Sequence, residues 1–273
     1  MIEMINKYIE FLKEEEKSIA TCNQYKRELT RFSSFCKGRE LSKETMLAYK
    51  EDLISHYKAS SANAAITAIN GFLSFSQRHD LRLKLFKLQR STFLVGNKEM
   101  TKQDYGRLIV AARRKKDERL ALLIETICST GIRVSEAKYI TAESLTSGEA
   151  VVRMKGKTRK IFLPDKLIKY LKKYVQKKHI QSGPIFITRS GRPLDRSNIW
   201  KMMKSLCKEA LVESTKVFPH NFRHLFARTF YSIDKDIAKL ADVLGHSSIN
   251  TTRIYVMSTG VEHRKLINSM QLI

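Results

Sequence analysis

The stretch that decides the fold of this chain is HNFRHLFARTFYSIDKDIAKLADVLGHSSINTTRIY, residues 220–255. It opens with HNFRH at residues 220–224, reaches LGH at residues 244–246 and ends nine residues later at Tyr255. Apolar residues between these motifs recur at helical spacing, and Gly245 stands where a helix would stop. Histidine, arginine and tyrosine are the residue types that can hold a phosphodiester and attack it with a phenol. The stretch therefore predicts helices that carry a phosphoryl-transfer site.

A second arginine stands far upstream, in TGIRVSE at residues 130–136. A guanidinium binds two nonbridging phosphate oxygens at once and stays charged at any working pH. Arg133 and Arg223 could therefore hold one phosphate from two sides. An unperturbed tyrosine has a pKa of about 10, so only about one molecule in a thousand is ionised near neutrality. Neighbouring cations would raise that fraction, and His220 or His246 could take the phenol proton directly.

A lysine-containing turn could supply the remaining group. KGK at residues 155–157 lies between two β-rich runs, and Lys155 could give its proton to the departing oxygen. This chemistry needs neither a metal nor a nucleotide. The sequence contains neither a phosphate-binding P-loop nor a carboxylate cluster, so it predicts no metal and no cofactor.

Each of these residues also has an ordinary structural interpretation. His220 and His224 stand four apart, which is a metal-ligand spacing on a helix but more often a structural pair. Arg133 could be a surface arginine after a tight Thr-Gly turn, and Tyr255 could be a core aromatic. Lys155 is one of many lysines. Only the complete set, converging in space, favours catalysis.

The charge balance of the chain indicates a polyanionic partner. Among 273 residues, Lys and Arg number 51 against 27 Asp and Glu, a formal net charge of +24. Such an excess attracts nucleic acid; an anionic membrane surface is second, but no apolar run is long enough to span a bilayer. The four scattered cysteines predict neither a zinc site nor a disulfide framework. The first residues lack signal-peptide character, so we expect a cytoplasmic protein with reduced thiols.

Hydrophobic periodicity predicts a mainly α-helical protein with a small antiparallel β-sheet. Residues 1–80 read as an N-terminal bundle of four short amphipathic helices. The serines that could open its later helices are Ser18, Ser42 and Ser60 or Ser61. Residues 81–98 are basic and have no clear period, which suits either a linker that follows a phosphate backbone or a solvated loop.

The pattern of residues 99–273 predicts an α+β domain that would carry the catalytic site. The β-rich runs at residues 151–154 and 160–163 flank the KGKT sequence and predict a hairpin. Residues 185–188 could form another strand, closed by SGRP at residues 190–193. Helices return after this turn.

The three ordered motifs resemble those of the tyrosine recombinases, or phage-integrase family, in the compact two-domain form of the Xer type. The resemblance covers the whole second domain. NQY at residues 23–25 and the helices around it resemble the family's SAM-like core-site DNA-binding domain. The resemblance implies a metal- and ATP-independent, site-specific DNA recombinase. Such an enzyme cleaves and rejoins DNA through a 3′-phosphotyrosine and a Holliday junction, in integration, excision or dimer resolution.

The resemblance also implies a role for each residue of the site. Arg133 and Arg223 would clamp the phosphate, and His246 would hydrogen-bond it. His220 would assist as a base. Tyr255 would form the phosphotyrosine and release a 5′-hydroxyl.

The lysines and arginines outside the phosphate clamp would serve the leaving group and the DNA backbone. Lys155 would be the general acid, with Lys157 as the alternative because hairpin length varies. The basic residues expected to contact DNA are Lys26, Arg82, Lys84, Lys87, Arg90, Lys157, Arg159 and Arg192.

The implied partner is double-stranded DNA with inverted-repeat core sites. Four copies of the chain, or copies paired with a second recombinase, would assemble on two sites, with a possible accessory or directionality factor and no membrane. Residues 261–273 could form a helix that packs into a neighbouring subunit or onto its own domain. Two other hypotheses stay open: a catalytically silent DNA-binding accessory protein, and an enzyme like the type IB topoisomerases.

Overall fold

The computed structural model of the chain describes residues 1–88, 99–154, 157–256, 264 and 267–270. It divides into two compact units, Met1–Ser91 and Thr92–Ile273. Both are mainly helical, and the described residues contain one sheet, a two-stranded antiparallel hairpin. The predicted fold class is therefore confirmed. The predicted site residues Arg90 and Lys155, and most of the C-terminal segment, lie outside the described residues.

The N-terminal unit contains four helices that share one apolar core. They are α1 (Ile2–Glu14), α2 (Ile19–Phe35), α3 (Lys43–His56) and α4 (Ala59–Phe75), followed by a 3₁₀ turn at His79–Leu81. As predicted, Ser18 and Ser42 cap α2 and α3, because each side chain accepts a backbone N–H of the first turn. The prediction that Ser60 or Ser61 opens α4 is wrong. The helix begins directly after extended Lys58 without a side-chain cap, so both serines lie inside its first turn.

Two asparagines of α4 hold the chain that follows the bundle. Asn70 donates from Nδ2 to the Leu83 carbonyl at 2.8 Å, and its Oδ1 accepts the Leu83 N–H at 2.9 Å. Asn63 makes the same pair of bonds with Phe86, at 2.9 and 2.8 Å. Seven helical residues rise about 10.5 Å, and three extended residues span about 10 Å. The two spacings match, so the segment lies along the helix.

Part of the predicted basic linker is therefore attached to the N-terminal unit. Leu81 and Leu83 are buried in its core, whereas Arg82, Lys84 and Lys87 are exposed. This alternation has the period of an extended chain, but it runs over too few residues to be recognised in the sequence.

The C-terminal unit is built around a central helix, α6. Its elements in chain order are α5 (Lys102–Arg114), α6 (Glu118–Thr130), a 3₁₀ turn (Val134–Tyr139), α7 (Ser144–Ser147), β1 (Glu149–Met154), β2 (Lys157–Phe162), α8 (Asp165–Lys177), α9 (Arg196–Lys204), α10 (Cys207–Ala210), a 3₁₀ turn (Ser214–Lys216), α11 (Pro219–Ile233), α12 (Ile237–Leu244) and α13 (Ile249–Arg253). Helix α6 packs against α5, α8 and α11. Elements that carry the TGIRVSE and HNFRH motifs thus contribute to one apolar core.

The hairpin of β1 and β2 is present, as the sequence predicts. Val152 lies opposite Arg159 and Ala150 opposite Ile161, and these pairs face the core. The predicted strand over residues 185–188 is wrong. The chain turns back on itself, closed by a bond from the Thr188 N–H to the Arg192 carbonyl, so that it forms only isolated bridges.

All four cysteines are free thiols. Among the described residues, no helix combines the length and the apolar character that a membrane crossing requires.

We predict that Asn70→Ala weakens the attachment of residues 82–88 to α4. The change leaves the Leu83 N–H and carbonyl without partners and should lower the free energy of unfolding by about 1–3 kcal/mol. Urea unfolding of the full chain measures this loss, and amide hydrogen exchange should accelerate at Leu83. The control is Asn6→Ala on the exposed side of α1, which makes the same change in helix propensity. Equal effects of the two substitutions would contradict the prediction.

Candidate active site

Gly131, in the left-handed backbone conformation, ends α6 just before Arg133. Gly131 has a φ of +65°, which ends the helix, and a Cβ there would lie only 2.4 Å from the Phe226 ring. Arg133 follows two residues later, before the 3₁₀ turn. Its side chain is 42% exposed, so the guanidinium remains accessible to a ligand.

Glu136 holds Arg133 in place. Its Oε2 accepts the Arg133 backbone N–H at 2.7 Å, and its Oε1 accepts from Arg133 Nη1 at 3.1 Å. The carboxylate is buried, and Arg159 Nη2 also donates to its Oε2 at 2.5 Å. A buried carboxylate needs such charged partners, and two guanidiniums supply them.

The guanidinium of Arg223 is buried where two helices end. Arg223 lies in the first turns of α11 and is 1% exposed. Its Nη1 donates to the Gly131 carbonyl at 2.5 Å, and its Nη2 donates to the Leu244 carbonyl at 2.7 Å. These carbonyls belong to the C-terminal ends of α6 and α12. Arg223 Nε has no hydrogen-bond partner among the described residues, so the guanidinium keeps a donor for a further ligand.

His246 links Arg223 to the helix that precedes Tyr255. Gly245, with a φ of +64°, ends α12 and releases His246 toward Arg223. Arg223 Nη2 lies 2.9 Å from His246 Nε2, and His246 Nδ1 lies 2.9 Å from the Thr252 hydroxyl. Arginine can only donate, so Nε2 must accept, and in the neutral imidazole Nδ1 then carries the proton. The geometry thus assigns one tautomer to His246.

Tyr255 is buried among three histidines. Its hydroxyl lies 3.2 Å from His220 Nε2, which is hydrogen-bond distance. The His224 ring stacks on the phenol with centroids 4.2 Å apart, and the His246 ring lies 5.4 Å away. The helical spacing of His220 and His224 thus places both rings against one tyrosine, and His220 is placed to accept its proton.

Burial and the neighbouring charges lower the pKa values of all three histidines around Tyr255. Burial, and then the charge of Arg223, lowers the pKa of His246 to about 4. Burial, and then His220, lowers the pKa of His224 to about 4. The pKa of His220 is also lowered, by burial first and by Arg223 next. Burial lowers the pKa of Arg223 to about 10, which still leaves it protonated at neutral pH.

A cavity of about 620 Å³ opens beside these groups. Its lining includes Arg133, His220 and Arg223. Helix α9 contributes Arg196, Trp200 and Lys201 to the same lining. The cavity therefore combines Arg133 and Arg223 with the exposed ring of Trp200 and with two further cations. Such a lining suits a phosphate and the nucleotides next to it.

Two residues that the structure places in the site have no role predicted from the sequence. Glu136 stands in the TGIRVSE motif and contacts Arg133, and His224 stands in HNFRH and contacts Tyr255. Spacing within each motif was the available signal: Glu136 follows Arg133 by three positions, and His224 follows His220 by four.

Five of the six predicted catalytic residues lie together in the structure, and the sixth lies outside the described residues. The structure brings Arg133, His220, Arg223, His246 and Tyr255 around one point, joined by hydrogen bonds or by the shared cavity. Lys155 lies outside the described residues, as does the side chain of its alternative, Lys157.

The residues predicted to contact DNA differ in their exposure to solvent. The exposed ones are Lys26, Arg82, Lys84, Lys87 and Arg192. Arg159 differs, because its guanidinium is turned inward and bonded to Glu136. Its expected role as a DNA contact does not fit this placement. Among the described residues, no group of three His, Cys, Asp or Glu side chains could hold a metal ion.

The residues of this site lie within a region that matches a known protein family. The profile of the phage integrase family matches residues 98–260. The chain belongs to the phage integrase family. It is 26% identical to tyrosine recombinase XerD of Staphylococcus saprophyticus, with 97% of each chain covered, and 28% identical to tyrosine recombinase XerA of Thermococcus kodakarensis, with 99% of this chain and 96% of that one covered.

The same fold occurs in a solved complex. A lambda integrase tetramer bound to a Holliday junction superposes with a TM-score of 0.72 at 17% identity, covering 93% of this chain and 76% of that one. As a member of the phage integrase family, the chain is a tyrosine-type, site-specific DNA recombinase that acts through a tyrosine intermediate. The predicted family, function and enzyme class are confirmed.

We predict that the chain loses stability as the pH falls from about 6.5 to about 4. His224 and His246 have folded-state pKa values of about 4, below the ordinary 6.5, so the unfolded chain binds more protons in this window. The contribution of the two neutral histidines to stability is therefore fully present above pH 6.5 and is lost as the pH falls toward 4. His224→Gln should make the pH dependence shallower, as measured by urea unfolding at a series of pH values. The control is His79→Gln in the N-terminal unit; an unchanged slope in His224→Gln would refute the prediction.

Proposed function

We propose that Tyr255 is the nucleophile of this recombinase and that His220 is its base. The observation that carries this proposal is the 3.2 Å contact between the Tyr255 hydroxyl and His220 Nε2. The lowered pKa of His220 favours its neutral ring, and in the tautomer with the proton on Nδ1 its Nε2 can accept the phenol proton as the Tyr255 oxygen attacks phosphorus. The new bond joins the tyrosine oxygen to the 3′-phosphate, and the bond from phosphorus to the 5′-oxygen breaks.

Arg133 and Arg223 neutralise the crowded phosphate during this step. Arg133 presents an accessible guanidinium, and Arg223 keeps its Nε donor unused. Fixed donors that stabilise developing charge commonly account for most of the rate enhancement in such reactions. Lys155, or Lys157 as the alternative, protonates the departing 5′-oxygen. Rejoining reverses the sequence, with a 5′-hydroxyl attacking the phosphotyrosine.

His246 has a second state in this proposal. In the tautomer that the geometry assigns, its Nε2 accepts from Arg223 and therefore cannot donate to a phosphate oxygen. An anionic phosphate beside the ring would raise the pKa of His246. His246 would then gain a proton at Nε2 and donate it in a hydrogen bond to the phosphate.

The natural substrate is proposed to be a DNA duplex with inverted core sites. The exposed cations on the N-terminal unit and on the segment after it support this, as does the net charge of +24. These side chains would contact the backbone, while base contacts would select the site. We place this activity in the cytoplasm, where DNA is accessible to a protein with free thiols.

The first test captures the covalent intermediate on a DNA site that the protein itself selects. A pool of nicked duplexes with randomised arms is incubated with the chain, and duplexes that resist denaturing washes are sequenced. Wild type should select a common sequence and form an adduct. Tyr255→Phe should bind the selected duplex but lose the adduct entirely, because no hydroxyl remains to attack. The control is Tyr231→Phe, which removes a hydroxyl from a neighbouring ring of α11.

Other outcomes distinguish the competing functions. An adduct in Tyr255→Phe would assign the nucleophile elsewhere. Binding by wild type without any adduct would favour an accessory protein. Relaxation of supercoiled plasmid without selection of a sequence would favour a topoisomerase.

We also propose that four copies assemble on two DNA sites through the C-terminal segment. A mainly apolar groove of about 600 Å³ lies between α5, α6 and α11, lined by Leu225, Phe226 and Phe230, with Ile233 83% exposed at its edge. Ile267 in the C-terminal segment also exposes an apolar side chain. Exposed apolar surface of this kind marks a protein contact. The groove of one copy would receive the segment of the next.

We predict that Ile233→Glu and Ile267→Glu each reduce pairing of two sites by tenfold or more, on the order of the loss of a hot-spot contact. Binding of one copy to a single half-site should be unchanged. Gel-shift titrations on one-site and two-site duplexes measure both quantities, with Leu211→Glu as the exposed control. If Ile267→Glu instead lowers the stability of the free chain without affecting pairing, the segment packs on its own domain.

A further inference from the structure

Strand β2 turns one basic side chain toward the interior. Arg159 shares a strand face with buried Ile161, and only 15% of its side chain is exposed. Its neighbours Thr158 and Lys160 are exposed. An arginine that contacts a DNA backbone presents its guanidinium to solvent. The inward position of Arg159 therefore calls for a different role.

The two ends of the Arg159 guanidinium reach two different parts of the site. Nη2 donates to Glu136 Oε2 at 2.5 Å, and Nη1 donates to the Val243 carbonyl at 2.7 Å. Glu136 is the carboxylate that also holds Arg133. Val243 lies in the last turn of α12, three residues before His246. We call this pair of contacts the Arg159 bridge.

The chain leaves room for this bridge at Gly245. A Cβ on Gly245 would lie 2.4 Å from Arg159 Cδ and 2.9 Å from Arg159 Nε. No side chain can therefore occupy position 245 unless Arg159 moves. The glycine of the LGH motif thus has two physical reasons: its left-handed φ, and the close passage of Arg159.

We propose that Arg159 is a positioning residue for the phosphate site. By joining Glu136 to the end of α12, the Arg159 bridge fixes the separation of Arg133 and His246, so that both can meet one phosphate. This inference rests on the proposed function. A planar fork is required because the two acceptors belong to separate elements; a lysine carries the same charge but cannot present the same rigid pair of donors.

The test compares Arg159→Lys and Arg159→Met with Lys160→Met, an exposed neighbour on the same strand whose charge is paired with Glu149. Rates of adduct formation are measured in the full chain on the nicked duplex that wild type selects. Displacements of about 1 Å in such sites cost on the order of 10²-fold in rate. We expect both Arg159 variants to fall by at least tenfold and Lys160→Met to match wild type. Wild-type rates in Arg159→Lys would overturn the proposal, since charge alone would then suffice.

A second substrate separates the phosphate clamp from the leaving group. In a duplex with a 5′-bridging phosphorothiolate, the departing thiolate needs no proton. Misplacement of Arg133 and His246 slows cleavage of both duplexes alike, and this is the expected result. Recovery of the Arg159 variants on the phosphorothiolate would show that Arg159 acts on the leaving-group lysine and would overturn the proposed bridge.

A measurement without DNA keeps this inference separate from the proposed function. Amide hydrogen exchange of the free chain should accelerate in Arg159→Lys at both ends of the bridge, residues 133–137 and 243–246. Lys160→Met should leave both segments unchanged. Acceleration in a chain whose wild type forms no adduct would refute the proposed function while supporting the bridge. Unchanged exchange at both ends would refute the bridge itself, whether or not wild type forms an adduct.

Discussion

The burial of one guanidinium is the constraint on which the candidate active site depends. Arg223 is enclosed by the protein, and an unpaired buried cation would be very costly. Its partners are the carbonyls of Gly131 and Leu244, at the C-terminal ends of α6 and α12. Helix C-termini carry partial negative charge, so they stabilise the cation without a carboxylate. A carboxylate on Arg223 would compete with a phosphate; two main-chain carbonyls leave its positive charge largely available.

The same constraint explains why the two helices end where they do. Gly131 and Gly245 both have left-handed φ values, +65° and +64°, and each ends a helix so that its last carbonyls face an arginine. At both positions a Cβ would collide, with Phe226 in one case and with Arg159 in the other. The glycines of the TG and LGH sequences are therefore required by the backbone geometry, and each is followed within two residues by a site residue, Arg133 or His246.

The sequence indicated the reacting residues of the site more fully than the residues that hold them in place. Arg133, Arg223 and Tyr255 were identifiable because their residue types and spacing match one reaction, and the hairpin was identifiable from two β-rich runs. Inward and outward arginines look alike in a sequence, so Arg159 could not be told apart from the arginines expected to contact DNA.

The strand wrongly predicted at residues 185–188 and the unpredicted attachment of residues 82–88 to α4 have related causes. The chain after residue 184 pairs only at isolated positions, which local propensity does not show. The attachment of Leu83 to α4 depends on Asn70, thirteen residues away, whose side chain looks like any other polar residue on a helix. Each of these features is decided by a tertiary partner, and a single sequence does not show which residues meet.

In the proposed reaction, the positive charge of Arg133 and Arg223 would have two effects. Their field would stabilise an anionic phosphate, and it adds to burial, the larger cause, in lowering the pKa of His220 and of His246. A neutral His220 can accept a proton from Tyr255, whereas a protonated one could not. In the proposed reaction, the negative charge of a phosphate in the cavity would offset part of that field, so the histidines would become better proton acceptors when Tyr255 attacks. In the proposed reaction, substrate binding and the base strength of His220 would be coupled in this way through the charge of Arg223.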